Sequence, residues 1–416
     1  MIKNTPFRSE RFNEMVRSYN ASGRISHLPE VGSFEELKAK YPPRSKEDLR
    51  RVSADFIKAG HFKGGYIIGT SGTTSAPLVL GHRIWGSVSE GTYPYRLMSY
   101  LMQNVFSSED VVANLYTPGG LGVLYEGSNR FLEPIRATIL PVGLLQSIGS
   151  GRQYFEIFQQ LGLNTIMGAP SSVVQFARQA AAHEIDLDIR KIVYTGEHFY
   201  PAKRTLISNI WPKARYTSMF GAVEYGFAGI NTPSMADGVH ELLDDWYIFE
   251  VDEEDNVLVT DLTGPVIPVI RYLIGDKGTL LPPHKEGAGA GLIIGERSNA
   301  SFNIAGNAVG HETIRHAVEC ALGRTEKIQI ILRTDLEGRD LFTLALDIDI
   351  EADAAASKRA LEAVNSINEI AEGINRGTIL TEVIGREGLI TNWRTKTGMI
   401  VDRRQDAVPK LEQAHA

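Results

Sequence analysis

The residues best suited to chemistry form a short polar loop that follows the apolar segment at residues 66–69. Its six members are small or hydroxylated: Thr70, Ser71, Gly72, Thr73, Thr74 and Ser75. Glycine lets the backbone turn sharply and approach a ligand closely, and the hydroxyl and backbone N–H groups point hydrogen-bond donors at one small volume. The loop is therefore suited to an anion such as phosphate. A polar hairpin turn is an equally strong alternative on composition alone.

Other common catalytic motifs do not occur in the sequence. The loop lacks the spacing of a Walker A motif, and there is no Gly-x-Ser-x-Gly or Cys-x-x-Cys segment. His311 and His316 would lie about 140° apart on a helix, which favours a structural role over a zinc site. Cys320 is the single cysteine and can form no internal disulfide, so the sequence predicts a reducing, cytoplasmic compartment.

Length and composition are those of a soluble protein with two or three domains. The chain has 416 residues, of which 43% are apolar and 22% charged, and its net charge is -7. This mildly acidic balance gives no support to nucleic-acid or anionic-membrane binding. Neither a signal-peptide pattern nor a run of about 18 uncharged apolar residues is present, so we expect a soluble chain.

The elements that would position the loop follow from the hydrophobic pattern. Ser45 and Asp48 mark a helix start before the loop. After the loop, predicted strands alternate with predicted helices: helix 84–104, strand 111–116, strand 137–143, helix 151–162, strand 164–170, helix 170–183, strand 191–197 and helix 201–211. The segment at 117–127 is predicted to be a flexible glycine loop. The alternation predicts a parallel sheet covered on both faces, with ligands beyond the carboxyl ends of its strands.

The pattern changes to short strands from residue 216, and a second alternation of helices and strands begins near residue 311. We therefore place a domain boundary near residues 296–299. The expected domains are a large one at residues 1–296 and a small α+β unit at residues 297–416.

The chain contains, in this order, the segments TSGTTSAP, TGEHF, PVIRYLIGD and VDRR. They resemble the motifs of adenylate-forming enzymes, the superfamily of acyl-CoA synthetases, peptide-synthetase adenylation domains and luciferases. The segment TSGTTSAP resembles the phosphate loop Ser/Thr-Ser-Gly-Thr-Thr-Gly-x-Pro-Lys, with Ser75 at the second glycine and Leu78 at the lysine. The segments PVIRYLIGD, TGEHF and the terminal VDRR resemble the phenylacetate-CoA ligase branch. The resemblance implies an α/β fold, with a large N-terminal adenylate-forming domain of parallel sheet layers and a small mobile α+β C-terminal domain.

Three charged residues match functional positions of that superfamily. The resemblance implies that Glu224, in MFGAVE, is catalytic and helps to hold Mg²⁺, a hard cation that prefers oxygen ligands. Asp276, in RYLIGD, would accept both ribose hydroxyls. Lys396, in NWRTKTG, would be the catalytic lysine that reaches the acid and the α-phosphate. The structural alternatives are an exposed glutamate at a strand turn, a Gly-Asp turn capping a strand, and a solvated basic tail.

The resemblance also implies the remaining binding residues. ATP would contact the loop residues Thr70 to Ser75 and, beyond them, Gly196, Glu197, His198, Phe220, Gly221, Asp276 and Arg297. Arg297 matches the arginine of the hinge between the domains. The acid would contact Tyr116, Thr117, Gly119, Gly120, Ala169, Pro170, Ser171, Phe199, Ala222 and Val223.

The implied reaction is ATP-dependent activation of a carboxylic acid, aromatic by the preference of the branch, to an acyl-adenylate. Thioester formation with coenzyme A would follow, so the implied cofactors are ATP, Mg²⁺ and coenzyme A. Two alternatives stay open. The acyl group could pass to a carrier protein or a reductase in secondary-metabolite biosynthesis, for example of phenazine antibiotics, or the chain could be a non-catalytic nucleotide or acyl-AMP binding protein. A homodimer stays open as the oligomeric state.

Overall fold

The computed structural model describes residues 3–63, 65–70, 78–83, 93–145, 151–297, 301–390 and 399–406. The chain divides into two compact units. The first unit comprises residues 1–110, 117–139 and 216–299, and the second unit comprises residues 111–116, 140–215 and 300–416. The domain boundary near residue 296 stays a prediction.

Helices and strands of the described residues follow one another in the predicted alternation. The helices are Ser9–Ser22 (α1), Phe34–Lys40 (α2), Lys46–Lys58 (α3), Tyr93–Asn104 (α4), Leu124–Leu132 (α5), Arg152–Gln160 (α6), Pro170–Ala182 (α7), Pro201–Ile210 (α8), His311–Leu322 (α9), Ala354–Asn365 (α10) and Asn368–Asn375 (α11). The strands are Gly65–Gly69 (β1), Val79–Arg83 (β2), Val111–Asn114 (β3), Thr138–Leu140 (β4), Thr165–Met167 (β5), Lys191–Tyr194 (β6), Arg215–Ala222 (β7), Gly226–Asn231 (β8), Val239–Leu242 (β9), Tyr247–Val251 (β10), Asn256–Asp261 (β11), Tyr272–Leu281 (β12), Gly291–Arg297 (β13), Ser301–Ile304 (β14), Asn307–Gly310 (β15), Ile328–Thr334 (β16), Asp340–Leu346 (β17), Ile379–Ile384 (β18) and Ile400–Asp402 (β19).

The first unit is built on antiparallel strands. Its sheet has the order β10-β11-β12-β13-β9-β8-β7, and β1 pairs with β2 in a separate antiparallel ribbon. Short connections between consecutive strands favour this antiparallel pairing. A cluster of buried apolar side chains, including Phe12, Leu37 and Ile270, packs α1 and α2 onto this unit. Burial of each such side chain stabilises the fold by about 1.5–3 kcal/mol.

The second unit contains the predicted parallel strands. Strand β5 lies between β3 and β6 and is parallel to both, because α6 and α7 provide the crossover connections. Residues 301–406 add a four-stranded sheet, ordered β18-β17-β16-β19, with its own apolar core around Phe342, Leu344 and Ile330. Helices α9, α10 and α11 contribute Ile314, Ala360 and Ile370 to that core in turn. The predicted α/β fold is confirmed.

One predicted element is wrong in its extent. The glycine loop predicted at residues 117–127 ends where α5 begins, at Leu124. Gly127, Ser128, Phe131 and Leu132 are buried along one face of this helix, so packing overrides the low helix propensity of Gly127. Within the described ranges, none of the helices combines the length and the hydropathy needed to span a bilayer.

Candidate active site

Glu224 lies in a tight turn of the first unit between β7 and β8. A Cβ atom on Gly221 would lie 2.2 Å from the carbonyl oxygen of Gly226, so only glycine allows the two strands to approach this closely. Glu224 itself is 7% exposed, and its Oε1 accepts a hydrogen bond from the Tyr272 hydroxyl at 3.2 Å. The exposed glutamate of the structural alternative is therefore wrong for this residue.

Lys46 forms an ion pair with the same carboxylate, at 3.1 Å between Nζ and Oε1. It is the first residue of α3, whose start was predicted from Ser45 and Asp48; the two residues form a reciprocal capping box, which confirms that prediction. Backbone hydrogen bonds from Arg44 to Arg271 and from Leu273 to Arg44, at 2.8 and 2.9 Å, attach the start of α3 to β12. Sequence reasoning did not assign Lys46 to the site.

Asp276 lies inside β12, so the alternative of a Gly-Asp turn that caps a strand is wrong for this residue. Gly275 has a φ of 86°, and the register of β12 against β13 shifts between Asp276 and Gly278. The strand therefore continues through a bulge, a feature that residue types alone do not reveal. Asp276 Oδ1 lies 3.1 Å from Nε of Arg297, the last residue of β13.

The charge of Glu224 acts on Asp276, the second predicted carboxylate. Burial raises the pKa of Asp276, the Arg297 guanidinium lowers it, and the charge of Glu224 raises it again. Burial also raises the pKa of the fully buried Tyr225 hydroxyl, and both Asp276 and Glu224 add to that rise. The structure thus brings Glu224, Asp276 and Arg297 to one place around Tyr225, although they are far apart in the sequence.

The donor set at Glu224 fits a magnesium ion that is shared with phosphate. Within the described ranges there is no group of three or more His, Cys, Asp or Glu side chains that could enclose a metal. Mg²⁺ is usually held in nucleotide sites by one or two carboxylates together with phosphate oxygens and water. A single buried carboxylate is therefore enough on the protein side.

The predicted phosphate loop is described only at its two ends. Thr70 donates its backbone N–H to the Leu78 carbonyl at 3.0 Å, and its Oγ1 accepts from the Leu78 N–H at 3.1 Å. These bonds close the base of the loop, while the Leu78 side chain is fully buried. The predicted residues Ser71, Gly72, Thr73, Thr74, Ser75 and Lys396 lie outside the described residues.

In the second unit, Ser171 and Glu197 belong to a buried ion network. Lys203 is fully buried, and its Nζ donates to Ser171 Oγ at 2.8 Å and lies 3.4 Å from Glu197 and 3.0 Å from Asp340. Glu197 also accepts hydrogen bonds from the Ser171 hydroxyl and backbone N–H, at 2.7 and 3.2 Å. These two predicted site residues are therefore brought together and fixed by a lysine that the sequence did not reveal. A lysine in an amphipathic helix is normally solvated, so the sequence carried no signal for it.

Arg404 extends this network toward the end of the described chain. It donates to both Asp402 oxygens at 2.9 and 2.6 Å, lies 3.5 Å from Asp340, and has its guanidinium 4.5 Å from the ring centre of Tyr200. Arg404 is 2% exposed. The terminal VDRR segment therefore contributes buried ion pairs and not only a solvated tail.

The other predicted residues are divided between the two units. In the first unit, Phe220 packs against Tyr225 and His240, with ring centres 6.3 and 5.5 Å apart. Gly119 and Gly120 both have a positive φ, and Gly119 lines a surface cleft of about 420 Å³ beside Tyr66 and Tyr125. Ala222 is the last residue of β7, Val223 follows it in the turn, and Thr117 lies in the segment between β3 and α5.

In the second unit, Tyr116 is buried, which raises the pKa of its hydroxyl. Ala169 and Pro170 form the start of α7, at its N-cap and first position. Gly196 has a φ of 86°, so the backbone adopts a left-handed conformation immediately before Glu197 and His198. His198 packs edge-on against Tyr200, at 4.9 Å between ring centres, and Phe199 is buried against Tyr194.

Comparison with known proteins gives sequence relatives and similar solved structures. No protein-family model matches the chain. Indoleacetate–lysine synthetase of Pseudomonas savastanoi is 28% identical over 314 residues, 73% of this chain and 77% of that protein. Phenylacetate-coenzyme A ligase of Aromatoleum evansii is 25% identical over 381 residues, 84% and 80% of the two chains. The crystal structure of 2-hydroxyisobutyryl-CoA ligase with 2-HIB-AMP and CoA superimposes with a TM-score of 0.66 at 17% identity, over 95% of this chain and 88% of that one.

Proposed function

We propose that this chain, which belongs to the adenylate-forming superfamily on its phenylacetate-CoA ligase-like branch, activates a small carboxylic acid with ATP and transfers the acyl group to a second substrate. The observation that carries the proposal is the convergence of Glu224 and Asp276. Both residues match nucleotide-binding positions, and both raise the pKa of the same buried phenol, Tyr225. Each carboxylate also has a cation beside it: Lys46 pairs with Glu224, whose side chain is 8% exposed, and Arg297 pairs with Asp276, whose side chain is 22% exposed.

The proposed first step forms the acyl-adenylate. An oxygen of the acid attacks the α-phosphorus of ATP, the bond to the β-phosphate oxygen breaks, and pyrophosphate leaves. Asp276 orients the ribose by accepting its hydroxyls, and Arg297 favours the ionised acceptor by lowering the pKa of Asp276. Glu224 would hold Mg²⁺, which neutralises phosphate charge when bound. Lys396 is the proposed cation between the acid and the α-phosphate.

The proposed acid is aromatic, and the proposed acceptor is the thiol of coenzyme A. The names of both sequence relatives contain an arylacetate, which supports the first point. One relative is a coenzyme A ligase, whereas the other joins its acid to lysine. An amine is therefore the second candidate acceptor: in either case the nucleophile attacks the acyl carbonyl, AMP leaves, and a thioester or an amide results.

Pyrophosphate exchange tests the first step. Purified protein with ATP, Mg²⁺ and phenylacetate, indoleacetate, benzoate or short-chain acids should show acid-dependent exchange of labelled pyrophosphate into ATP. Lys396→Ala should abolish exchange while retaining ATP binding, and the exposed Lys58→Ala should behave like the wild type. Silence with every acid, together with retained nucleotide binding, would instead support a non-catalytic binding protein.

The acceptor is then identified by product analysis. Coenzyme A, lysine and hydroxylamine are added separately to the acid that gives the strongest exchange, and mass spectrometry distinguishes the thioester, the amide and the hydroxamate. Hydroxamate formation without turnover of coenzyme A or lysine would favour transfer to a carrier protein or a reductase.

A further inference from the structure

We propose that Lys46 is a phosphate-binding residue, which contacts the β- and γ-phosphates of ATP and supplies the cation that the loop lacks at position 78. The inference rests on the proposed function, because it concerns the same nucleotide site. In the superfamily pattern the loop ends in a lysine, whereas this chain has Leu78, whose side chain is fully buried. Residues 70–77 contain no lysine or arginine that could supply the missing positive charge.

The position of α3 places Lys46 where such a cation is needed. At its start, α3 is attached to β12 through the backbone of Arg44, and Lys46 reaches Glu224. In its second turn, Ser53 donates its hydroxyl to the carbonyl oxygen of Val79 at 2.6 Å, on the strand that leaves the phosphate loop. One helix thus connects the proposed magnesium ligand with the end of the loop.

The contacts of Lys46 differ from those of a structural ion pair. Its side chain is 41% exposed, whereas that of Glu224 is 8% exposed, so the pair joins a solvent-accessible lysine to a buried carboxylate. An ammonium group has three N–H donors, so it can contact more than one acceptor. A long, flexible lysine can therefore move from Glu224 to a phosphate when a metal ion takes its place at the carboxylate.

Helix stability does not account for a lysine at this position. The first turn of a helix favours acidic residues, and a cation there costs about 0.3–1 kcal/mol at a surface position. The next two charged residues of α3, Glu47 and Asp48, follow the favourable pattern. The ion pair with Glu224 offsets this cost in the free chain, and a phosphate would do so once a metal ion occupies Glu224.

Nucleotide binding measured by calorimetry tests the inference without turnover. ATP carries the β- and γ-phosphates and AMP does not, so the two ligands separate a phosphate contact from a general defect of the site. For Lys46→Ala we expect ATP with Mg²⁺ to bind about 10- to 100-fold more weakly, the loss typical of a hydrogen bond to a charged group, while AMP affinity changes less than about twofold. Lys46→Arg should retain most of the ATP affinity.

Lys58→Ala is the matched control, because Lys58 is an exposed lysine in the last turn of the same helix. It should leave both affinities unchanged, and thermal melting checks that each variant is folded. Equal weakening of ATP and AMP by Lys46→Ala, or no weakening of either, would overturn the role of Lys46. A wild-type chain that binds neither nucleotide would overturn the proposed function itself, and the inference with it.

Discussion

Replacement of Lys203 by methionine should destabilise the protein by about 3–5 kcal/mol. Methionine keeps much of the length of the side chain but removes its charge, which leaves Glu197 and Asp340 buried without their shared cation. At 3.0 and 3.4 Å and an effective dielectric constant near 20, each carboxylate attracts the ammonium by about 5 kcal/mol. Desolvation of Lys203 opposes this attraction, yet its pKa is raised, so the attractive contributions together exceed the cost of burial. Breaking a buried pair from one side typically costs 3–5 kcal/mol.

Urea denaturation followed by circular dichroism gives the free energy of unfolding of each variant. Lys213→Met is the matched control, because Lys213 pairs with Asp188 while 72% of its side chain is exposed; its replacement should cost less than about 1 kcal/mol. Because the pKa of Lys203 is raised in the folded state, its contribution to the free energy of unfolding is fully present below pH 10.5, the usual pKa of lysine. This contribution is lost only as the pH rises through the higher pKa of the folded state. The deficit of Lys203→Met should therefore be constant between about pH 6 and 9. A loss no larger than that of Lys213→Met would refute the reasoning.

Variants at three further positions test individual residues of the first unit. Burial raises the pKa of Asp261 from 3.8 to about 7, so the wild type loses stability as the pH rises through this window. In denaturation experiments, Asp261→Asn should be more stable than the wild type by about 1–2 kcal/mol at pH 5 and by about 4 kcal/mol at pH 8. A difference in stability that does not depend on pH would contradict this. Arg297→Gln removes the group that lowers the pKa of Asp276. ATP titrations from pH 5 to 8 should therefore show weaker binding, and the midpoint of the pH dependence of ATP affinity should shift to higher pH. An unchanged pH dependence would show that the Asp276–Arg297 pair does not control ATP affinity. Ser45→Ala should lose about 1 kcal/mol of stability, seen as a lower melting temperature, and Ser45→Thr should lose less.

The sequence predicted those features that depend on neighbouring residues. The start of α3 follows from the capping box of Ser45 and Asp48, and the parallel strands β3, β5 and β6 follow from the helices that separate them. Local spacing could not predict the extent of α5, because its glycine and serine are accommodated by packing within the fold. The strand bulge at Asp276 was missed for a related reason, since it depends on pairing with β13.

Buried charges were the least predictable part of the site. Residue types alone suggest that Lys203 and Arg404 are solvated. Their pairing with Asp340 cannot be predicted from the sequence, because packing of distant segments of the chain brings these residues together. The same holds for Glu224, for which the sequence allowed an exposed turn residue. The contacts with Lys46 and Tyr272 show a buried carboxylate instead. Motif comparison can identify a carboxylate, but the cationic residue that pairs with it is determined by the fold.

This distinction changes how the missing lysine at position 78 should be interpreted. Judged by its motif alone, the loop has lost a cation and should bind ATP less well. The fold places Lys46 beside Glu224 on a helix that also contacts Val79, immediately after the loop. Electrostatic attraction depends on distance in space and not on position in a motif, so a lysine from an earlier helix can restore the charge. The departure at Leu78 is therefore no argument against ATP binding, and comparison of ATP with AMP in Lys46 variants addresses this point directly.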